Sequence, residues 1–264
     1  MQQANDFREE SLTLKAVIKD LDDGAFEAVT QFKGWTINDV FRHLHFWNKA
    51  VMVASQGEEA FGEFFQGVGA HMTKGGSLPE YEKQYLEGLS GGALRSAWSD
   101  LVDETANAYA AMDPSARVPW AGPSMSARSS ISARQMETWA HGQEVFDLLG
   151  VERQEQDRIR NIAHLGVSTY GWTFKNRKEP IPEPAPFVEL IGPSGAVWTW
   201  NDPQEDNVVR GSAVEFSQVV TQVRNIADTD LETRGATAAR WMEVAQCFAG
   251  PAETPPAQGA RHKI

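Results

Sequence analysis

The stretch "GWTINDVFRHLHFWNKAVMVAS", residues 34–55, contains an unusually complete helix start signal. Thr36 is a favoured N-cap residue, and Asp39 follows at the capping-box position three residues later. Trp35 and Val40 occupy the two positions whose apolar side chains pack across the first turn. The stretch therefore predicts a helix that begins at Thr36 and continues to the end of the quoted segment.

Helix-length segments continue on both sides of this stretch. Glycine and proline interrupt them in "KGGSLP", residues 74–79, and residues 113–125 read as an irregular loop. Ser126 can cap a long helix that ends before Gly150, the favoured glycine position after a helix. Besides the first stretch, the predicted helices cover residues 5–22, 57–72, 91–112, 126–149 and 154–175. Segments of this length suit a helical bundle.

The composition of the sequence changes at "NRKEPIPEPAP", residues 176–186, where four prolines predict a stiff linker and a domain boundary. Beyond it, "FVELIGPSGAVWTWND" contains two strand-like runs around a Pro-Ser-Gly turn. Two helices follow, one with Ser212 and Glu215 in capping-box spacing and one ending at Gly250. We expect an α+β fold, mainly α, divided into a helical bundle at 1–178, a small α+β domain at 187–250 and a tail with the composition of disorder at 251–264.

Composition narrows the class of function. The 264 residues carry a net charge of -12, whereas nucleic-acid binders need a basic surface, so we expect no nucleic-acid partner. No apolar run approaches the ~20 residues that cross a bilayer, and no secretory signal pattern opens the chain. The single cysteine, Cys247, cannot form an internal disulfide. These features predict a cytoplasmic protein. Its nine tryptophans include candidates for the walls of a small-molecule pocket, although most of them are expected to be core residues.

Glu137 and His141 lie four residues apart in "ARQMETWAHGQEVFDLLG", residues 133–150, and so share one face of a predicted helix. One divalent cation could bind both side chains if that face points into the bundle. The alternative is a solvated acid and imidazole pair worth roughly a few tenths of a kcal/mol. Met136 and Trp139 beside the pair favour an interior position.

A third ligand would come from another helix, as in other metal sites of bundle cores. His43 and His45 both qualify. At about 100° per residue they flank the apolar stripe of their helix at nearly equal angles, so the helical wheel does not choose between them. Two imidazoles and one carboxylate would suit Zn, Fe(II), Ni or Mn and leave positions for a substrate thiol or carbonyl.

Other catalytic arrangements have less support. Cys247 lies among apolar residues of a predicted helix, where a buried, inert thiol is expected. The sequence contains no nucleophile elbow, no phosphate-binding loop and no dinucleotide fingerprint.

The pair of segments "GWTINDVFRHL" and "METWAHGQEVFDLLG" resembles the motifs of the DinB-like bundle in the mycothiol-dependent maleylpyruvate isomerase superfamily. The C-terminal run from "VELIGPSGAVWTWND" to "TRGATAARWMEVAQCFAGP" is similar to the C-terminal domain of a subgroup described as metal-binding proteins. Together the similarities cover residues 5–251. They imply a DinB-like four-helix bundle followed by a small α+β domain. They also imply one divalent ion, usually zinc, which some members use with a low-molecular-weight thiol.

Carried over residue by residue, the resemblance implies that His43, Glu137 and His141 are the metal ligands and that His45 is only a neighbour. The subgroup commonly has two arginines in the stretch written here as "VVTQVRN", which retains only Arg224. This arginine matches one that the isomerase places in its active site. The alternative is a solvated arginine at a helix end. If the missing arginine holds a substrate carboxylate, the substrate here is not a dicarboxylate such as maleylpyruvate.

These features predict a metal-dependent enzyme, of the isomerase or thiol-dependent transferase type, in which the ion acts on a small organic molecule as a Lewis acid. One alternative is a hydrolase or lyase that uses metal-bound water and needs a general base nearby. Another is a non-catalytic, metal-stabilised binding or stress-response protein. The expected pocket walls are Trp47, Trp120 and Trp139. The candidate bases are Asp39, Glu144 and His45.

Overall fold

Six helices build the first of two units, Met1–Val151, in a computed structural model that describes all 264 residues. A two-residue ladder, β1 (Arg117–Val118) with β2 (Met125–Ser126), closes the loop before the last helix. The helices are α1 (Gln2–Ile18), α2 (Ile37–Ala54), α3 (Glu58–Thr73), α4 (Leu78–Tyr85), α5 (Gly91–Ala111) and α6 (Ala127–Leu148).

The four long helices α1, α2, α5 and α6 pack on one another, because each has an apolar face at helical spacing. Phe41 of α2 meets Trp98 of α5 edge to face, with 4.9 Å between ring centroids, and both side chains are fully buried. Phe7 and Leu14 place α1 in the same core. This arrangement confirms the predicted four-helix bundle.

The shorter helices α3 and α4 pack against α2. Helix α4 was not predicted, because an eight-residue helix leaves little periodic signal. Its start signal is nevertheless readable. Ser77 Oγ accepts a hydrogen bond from the Glu80 backbone, and the Glu80 carboxylate accepts one from the Ser77 backbone, which together make a capping box.

The second unit, Glu152–Ile264, is built around a four-stranded sheet with strand order β4-β3-β5-β6. Strands β3 and β5 are parallel, and the two outer pairs are antiparallel. The predicted turn joins β3 to β4, whereas β5 and β6 were not predicted from the sequence. The elements are α7 (Arg160–Ser168), α8 (Tyr170–Asn176), β3 (Phe187–Ile191), β4 (Val197–Trp200), β5 (Val208–Ser212), α9 (Ala213–Val220), β6 (Glu232–Arg234) and α10 (Ala236–Val244).

The division between the units differs from the predicted boundaries. The segment expected as one helix at 154–175 forms α7 and α8, and both belong to the second unit rather than to the bundle. Trp172 of α8 donates a hydrogen bond from Nε1 to the carbonyl of Phe248, at 3.3 Å. Helix α8 therefore belongs with the C-terminal elements because it packs and hydrogen-bonds with them, although the proline-rich linker follows it.

The end of the chain also differs from expectation. Helix α10 ends at Val244 rather than at Gly250, because the next residues turn extended and the Ala245 carbonyl accepts a hydrogen bond from Gln222. Residues 251–264 lack regular structure but are held by side chains of the second unit. Asn225, for example, donates to the carbonyl of Pro256 at 2.7 Å. None of the ten helices is both long enough and apolar enough to span a membrane.

Candidate metal centre

Helix α2 carries the first predicted ligand, and its start is built as the sequence predicts. Thr36 Oγ1 accepts a hydrogen bond from the Asp39 backbone at 3.1 Å, and Asp39 Oδ2 accepts one from the Thr36 backbone at 3.0 Å. The capping box is thus confirmed. It sets the first turn of the helix, and His43 follows two turns into the bundle.

Helix α6 carries the other two predicted ligands. Ser126 caps it by accepting a hydrogen bond from the Ser129 backbone at 3.1 Å. Glu137 and His141, one turn apart, approach each other with 3.2 Å between Glu137 Oε2 and His141 Nε2. Their spacing on one helix face is therefore realised as a direct contact.

The two helices bring three possible ligands together. His43 Nε2 lies 3.5 Å from Glu137 Oε2, and the imidazoles of His43 and His141 are 4.8 Å apart between centroids. One ligand atom from each of the three residues lies within 4.8 Å of the other two. His43 rather than His45 joins the pair, a choice that the helical wheel left open.

Glu82 of α4 lies behind His43 and was not predicted from the sequence. Its Oε1 is 2.8 Å from His43 Nδ1, and it accepts a hydrogen bond from Trp47 Nε1 at 3.1 Å. The side chain of Glu82 is fully buried. Only the capping box of the short helix α4 could have pointed to an ordered element here, and nothing in the sequence marks this glutamate among its neighbours.

The charges of the cluster are strongly coupled. Burial alone would lower the pKa of His43, but the carboxylates of Glu82 and Glu137 outweigh it and raise this pKa to about 9. Burial would raise the pKa of Glu137, but hydrogen bonds with His141 and His43 hold it well below its usual range. Burial lowers the pKa of His141. In the metal-free protein at neutral pH, His43 is therefore charged, Glu137 is ionised and His141 is neutral.

Arg134 adds a buried positive charge one turn before Glu137. Its Nε donates to Asn48 Oδ1 at 3.1 Å, and its side chain is almost fully buried. Burial lowers the pKa of this guanidinium to about 10, against the opposing attraction of Glu137 and Glu82. The cation remains protonated at neutral pH and balances part of the negative charge of the two carboxylates.

Aromatic rings surround the imidazoles. Trp35 stacks on His141 at 5.4 Å between centroids and an interplanar angle of 9°, and Phe32 meets the same imidazole edge on at 5.1 Å. The sequence indicated Trp35 only as an apolar residue that packs across the first turn of α2. Trp47 lies 6.1 Å from His43 and 5.2 Å from Trp120, so these two predicted wall residues are neighbours of each other beside the cluster.

The remaining predicted site residues have other surroundings. Asp39 is engaged in the helix cap and in an ion pair with Arg42 at 3.1 Å. His45 is buried, and burial together with Lys49 lowers its pKa to about 4, so it is neutral at physiological pH. Neither belongs to the ligand cluster.

For three further residues, a role in the site stays a prediction. Trp139 and Glu144 of α6 are buried. Arg224 lies in the second unit, in the turn after α9, where its Nη1 donates to the carbonyl of Val223. Cys247 is buried, as expected for an inert thiol.

Fold and site together define a DinB-like helical bundle with two imidazoles and a carboxylate meeting between α2 and α6. Residues 7–146 match the family model of the mycothiol maleylpyruvate isomerase N-terminal domain. The chain belongs to this family.

Relatives and solved structures agree with this assignment. The uncharacterized proteins Rv0036c and MT0041, from two strains of Mycobacterium tuberculosis, are each 36% identical to this chain over 93% of its length and 95% of theirs. A crystal structure of the mycothiol-dependent maleylpyruvate isomerase superposes with a TM-score of 0.53 over 83% of this chain and 87% of that one. A histidine-to-alanine mutant of that enzyme gives the same values. At 18% identity, these two structures establish the shared fold.

Proposed function

We propose that this protein is a metal-dependent enzyme that acts on a small organic molecule, by isomerisation or by transfer involving a low-molecular-weight thiol. The observation that carries the proposal is the convergence of His43, Glu137 and His141 within 4.8 Å. Family membership supports an enzyme of this type, and a relative of the same fold is named as a mycothiol-dependent isomerase.

The three side chains fit one divalent ion of the zinc type. Two neutral imidazoles and one carboxylate are ligands that zinc accepts, and three protein ligands are typical of catalytic rather than structural zinc sites. The carboxylate is ionised and close to both imidazoles, so its negative charge would compensate part of the charge of the ion. When bound, such an ion supplies Lewis acidity, which polarises a carbonyl or favours the thiolate form of a thiol.

The surrounding residues would shape the environment of the reaction. Trp35 and Phe32 cover His141, and Trp47 covers part of His43, so water has limited access to the imidazoles. A site with few competing water molecules strengthens electrostatic interactions within it. Trp47 and Trp120 would offer aromatic surface to an organic substrate.

For the thiol we propose mycothiol, on the strength of the name of the structural relative. Arg224 is the candidate for holding an anionic group of the substrate. Because this sequence has Val223 where its subgroup commonly has a second arginine, we propose that the substrate carries fewer carboxylates than maleylpyruvate.

Metal analysis of the purified protein tests the ligand assignment. We expect about one zinc ion per chain in the wild type, and loss of stoichiometric metal in His43→Ala, Glu137→Ala and His141→Ala. The matched control is His262→Ala, which removes an exposed imidazole in the C-terminal segment. Retention of a full complement of zinc by both His43→Ala and Glu137→Ala would refute the assignment.

A thiol assay tests the reaction type. With mycothiol present, we expect the zinc-loaded protein to turn over 2-oxo or enol substrates bearing one carboxylate faster than maleylpyruvate, and to lose this activity when zinc is removed. If zinc removal unfolds the protein and no thiol-dependent turnover is found, the site has a structural role and the enzyme proposal fails.

A further inference from the structure

Glu82 is a buried carboxylate that the ligand set itself does not use. It lies in α4, which packs against α2 and α3, and it has no exposed surface. An ionised carboxylate in such surroundings is unfavourable unless partners compensate its charge. The groups that compensate the charge of Glu82 therefore indicate the role of this residue.

Both hydrogen bonds of Glu82 go to α2 and end on the same oxygen. Oε1 lies 2.8 Å from His43 Nδ1 and 3.1 Å from Trp47 Nε1, whereas Oε2 has no hydrogen-bond partner. The two donors are four residues apart on one helix face. Trp47 Nε1 can only donate a hydrogen bond, so it restrains the position of the Glu82 carboxylate oxygen as a donor.

The hydrogen bond fixes which nitrogen of His43 is available to a metal. A neutral imidazole has one protonated and one unprotonated nitrogen, and the partner of one nitrogen decides the state of the other. With Nδ1–H donating to Glu82, the lone pair is on Nε2. Nε2 is the atom that faces Glu137 Oε2 at 3.5 Å, within the ligand cluster.

We propose that Glu82 is a positioning residue of the metal site, which holds His43 in the orientation and tautomer that present Nε2 to the ion, with Trp47 orienting the Glu82 carboxylate. A carboxylate behind a metal-binding histidine also makes the imidazole a stronger ligand. The inference rests on the proposed function, because it presumes that His43 binds a metal.

Zinc affinity, measured by competition with a chromophoric chelator, tests this role in the full-length protein. We expect Glu82→Gln to weaken zinc binding about 10-fold, since the amide keeps a hydrogen-bond acceptor but loses the charge. We expect Glu82→Leu to weaken it about 100-fold, because Nδ1 then loses its acceptor. The matched control is Glu87→Gln, which changes an exposed glutamate just after the same helix. We expect this variant to bind zinc with unchanged affinity.

Two further measurements separate positioning from a merely structural role. The nitrogen chemical shifts of histidine in the zinc-loaded wild type should show His43 protonated at Nδ1 and unprotonated at Nε2. Trp47→Phe, which keeps the ring and removes the donor, should weaken zinc binding less than Glu82→Leu does. Thermal unfolding of the metal-free variants shows whether each is folded, and the tautomer measurement tests the proposal even if Glu82→Leu does not fold.

The outcomes distinguish this inference from the proposed function. If the wild type binds zinc through His43 but Glu82→Gln and folded Glu82→Leu bind it equally well, Glu82 has no positioning role and the metal site stands. His43 bound through Nδ1 would overturn the inference in the same way. If the wild type binds no zinc, or His43→Ala retains it, the metal assignment fails and the inference fails with it.

Discussion

At the scale of single residues, Glu137 links the two imidazoles, because one of its oxygens lies 3.2 Å from His141 and 3.5 Å from His43. In the metal-free protein this oxygen is stabilised by the proton of His43. A divalent ion placed among the same three side chains would take over that role. Proton and metal would thus compete for His43, with Glu82 behind it as the acceptor in either state.

The charge of His43 should make the stability of the metal-free protein depend on pH. Its folded-state pKa, about 9, exceeds the unfolded value of 6.5. Its contribution is therefore fully present below about pH 6.5 and is lost as the pH rises towards about 9. We expect the Tm of the metal-free wild type to fall more over this interval than that of His43→Gln.

The control for this pH series is His262→Gln, which removes an exposed imidazole and should behave as the wild type does. Measurements are made in the presence of a chelator. Equal pH dependence in the wild type and in His43→Gln would mean that His43 is not held protonated by its carboxylate neighbours.

At the scale of elements, the site depends on where α2 and α6 begin and on how the short helix α4 is attached. Both ligand helices begin with a hydroxyl cap, at Thr36 and Ser126. A cap fixes the first turn, and the following residues then project at fixed angles. The helix face that carries each candidate ligand was therefore predictable, although contact between the two faces required the tertiary fold.

Removal of the cap of α2 should destabilise the bundle. We expect Thr36→Ala to lower the free energy of unfolding by about 1 kcal/mol, because the Asp39 backbone loses its acceptor. Thr36→Ser retains the oxygen and should cost much less. Urea denaturation of the three proteins checks this, and equal midpoints for Thr36→Ala and the wild type would contradict it.

In the second unit, α7 and α9 approach each other closely at Gly166. A Cβ atom there would lie 2.7 Å from Val220 Cγ2 and 3.0 Å from Phe216 Cε1. We expect Gly166→Ala to destabilise the protein by about 1–3 kcal/mol, as overpacking does.

The matched control for this substitution is Gly171→Ala in α8, where the added Cβ would meet only Ile181 Cδ1, at 3.5 Å. Since alanine is the better helix former, this control should be neutral or slightly stabilising. Thermal unfolding compares the two variants. A Gly166→Ala protein as stable as Gly171→Ala would show that the helices can move apart without cost.

At the scale of the whole molecule, the chain forms two units, each with its own buried apolar residues. The three candidate ligands, Glu82 and the aromatic rings next to them all belong to the first unit, whereas Arg224 belongs to the second. The proposed metal ligands and the proposed anion-binding arginine therefore lie in different units.

This division predicts that residues 1–151 suffice for metal binding. We expect this fragment to be helical by circular dichroism and to bind about one zinc ion, because it contains the ligand cluster and a core of the size that supports folding. The same fragment with His43→Ala serves as control. If the full-length protein binds zinc and the folded fragment does not, the second unit contributes to the site.

The amino-acid sequence by itself determined the bundle, the start of α2, the face shared by Glu137 and His141, and the presence of a smaller α+β unit. These features are local, since caps, helical periodicity and turn residues act over a few positions. The resemblance to a known family supplied His43 as the third candidate ligand, which the helical wheel alone could not select.

Only the tertiary structure decided the rest. It placed Glu82 behind His43 and Trp35 on His141, and it assigned α7 and α8 to the second unit. Such pairings join residues far apart in the chain or outside any periodic pattern, and they depend on how packed surfaces fit. A short helix such as α4 leaves little trace in the sequence, yet its one buried carboxylate has a partner only because the helices pack as they do.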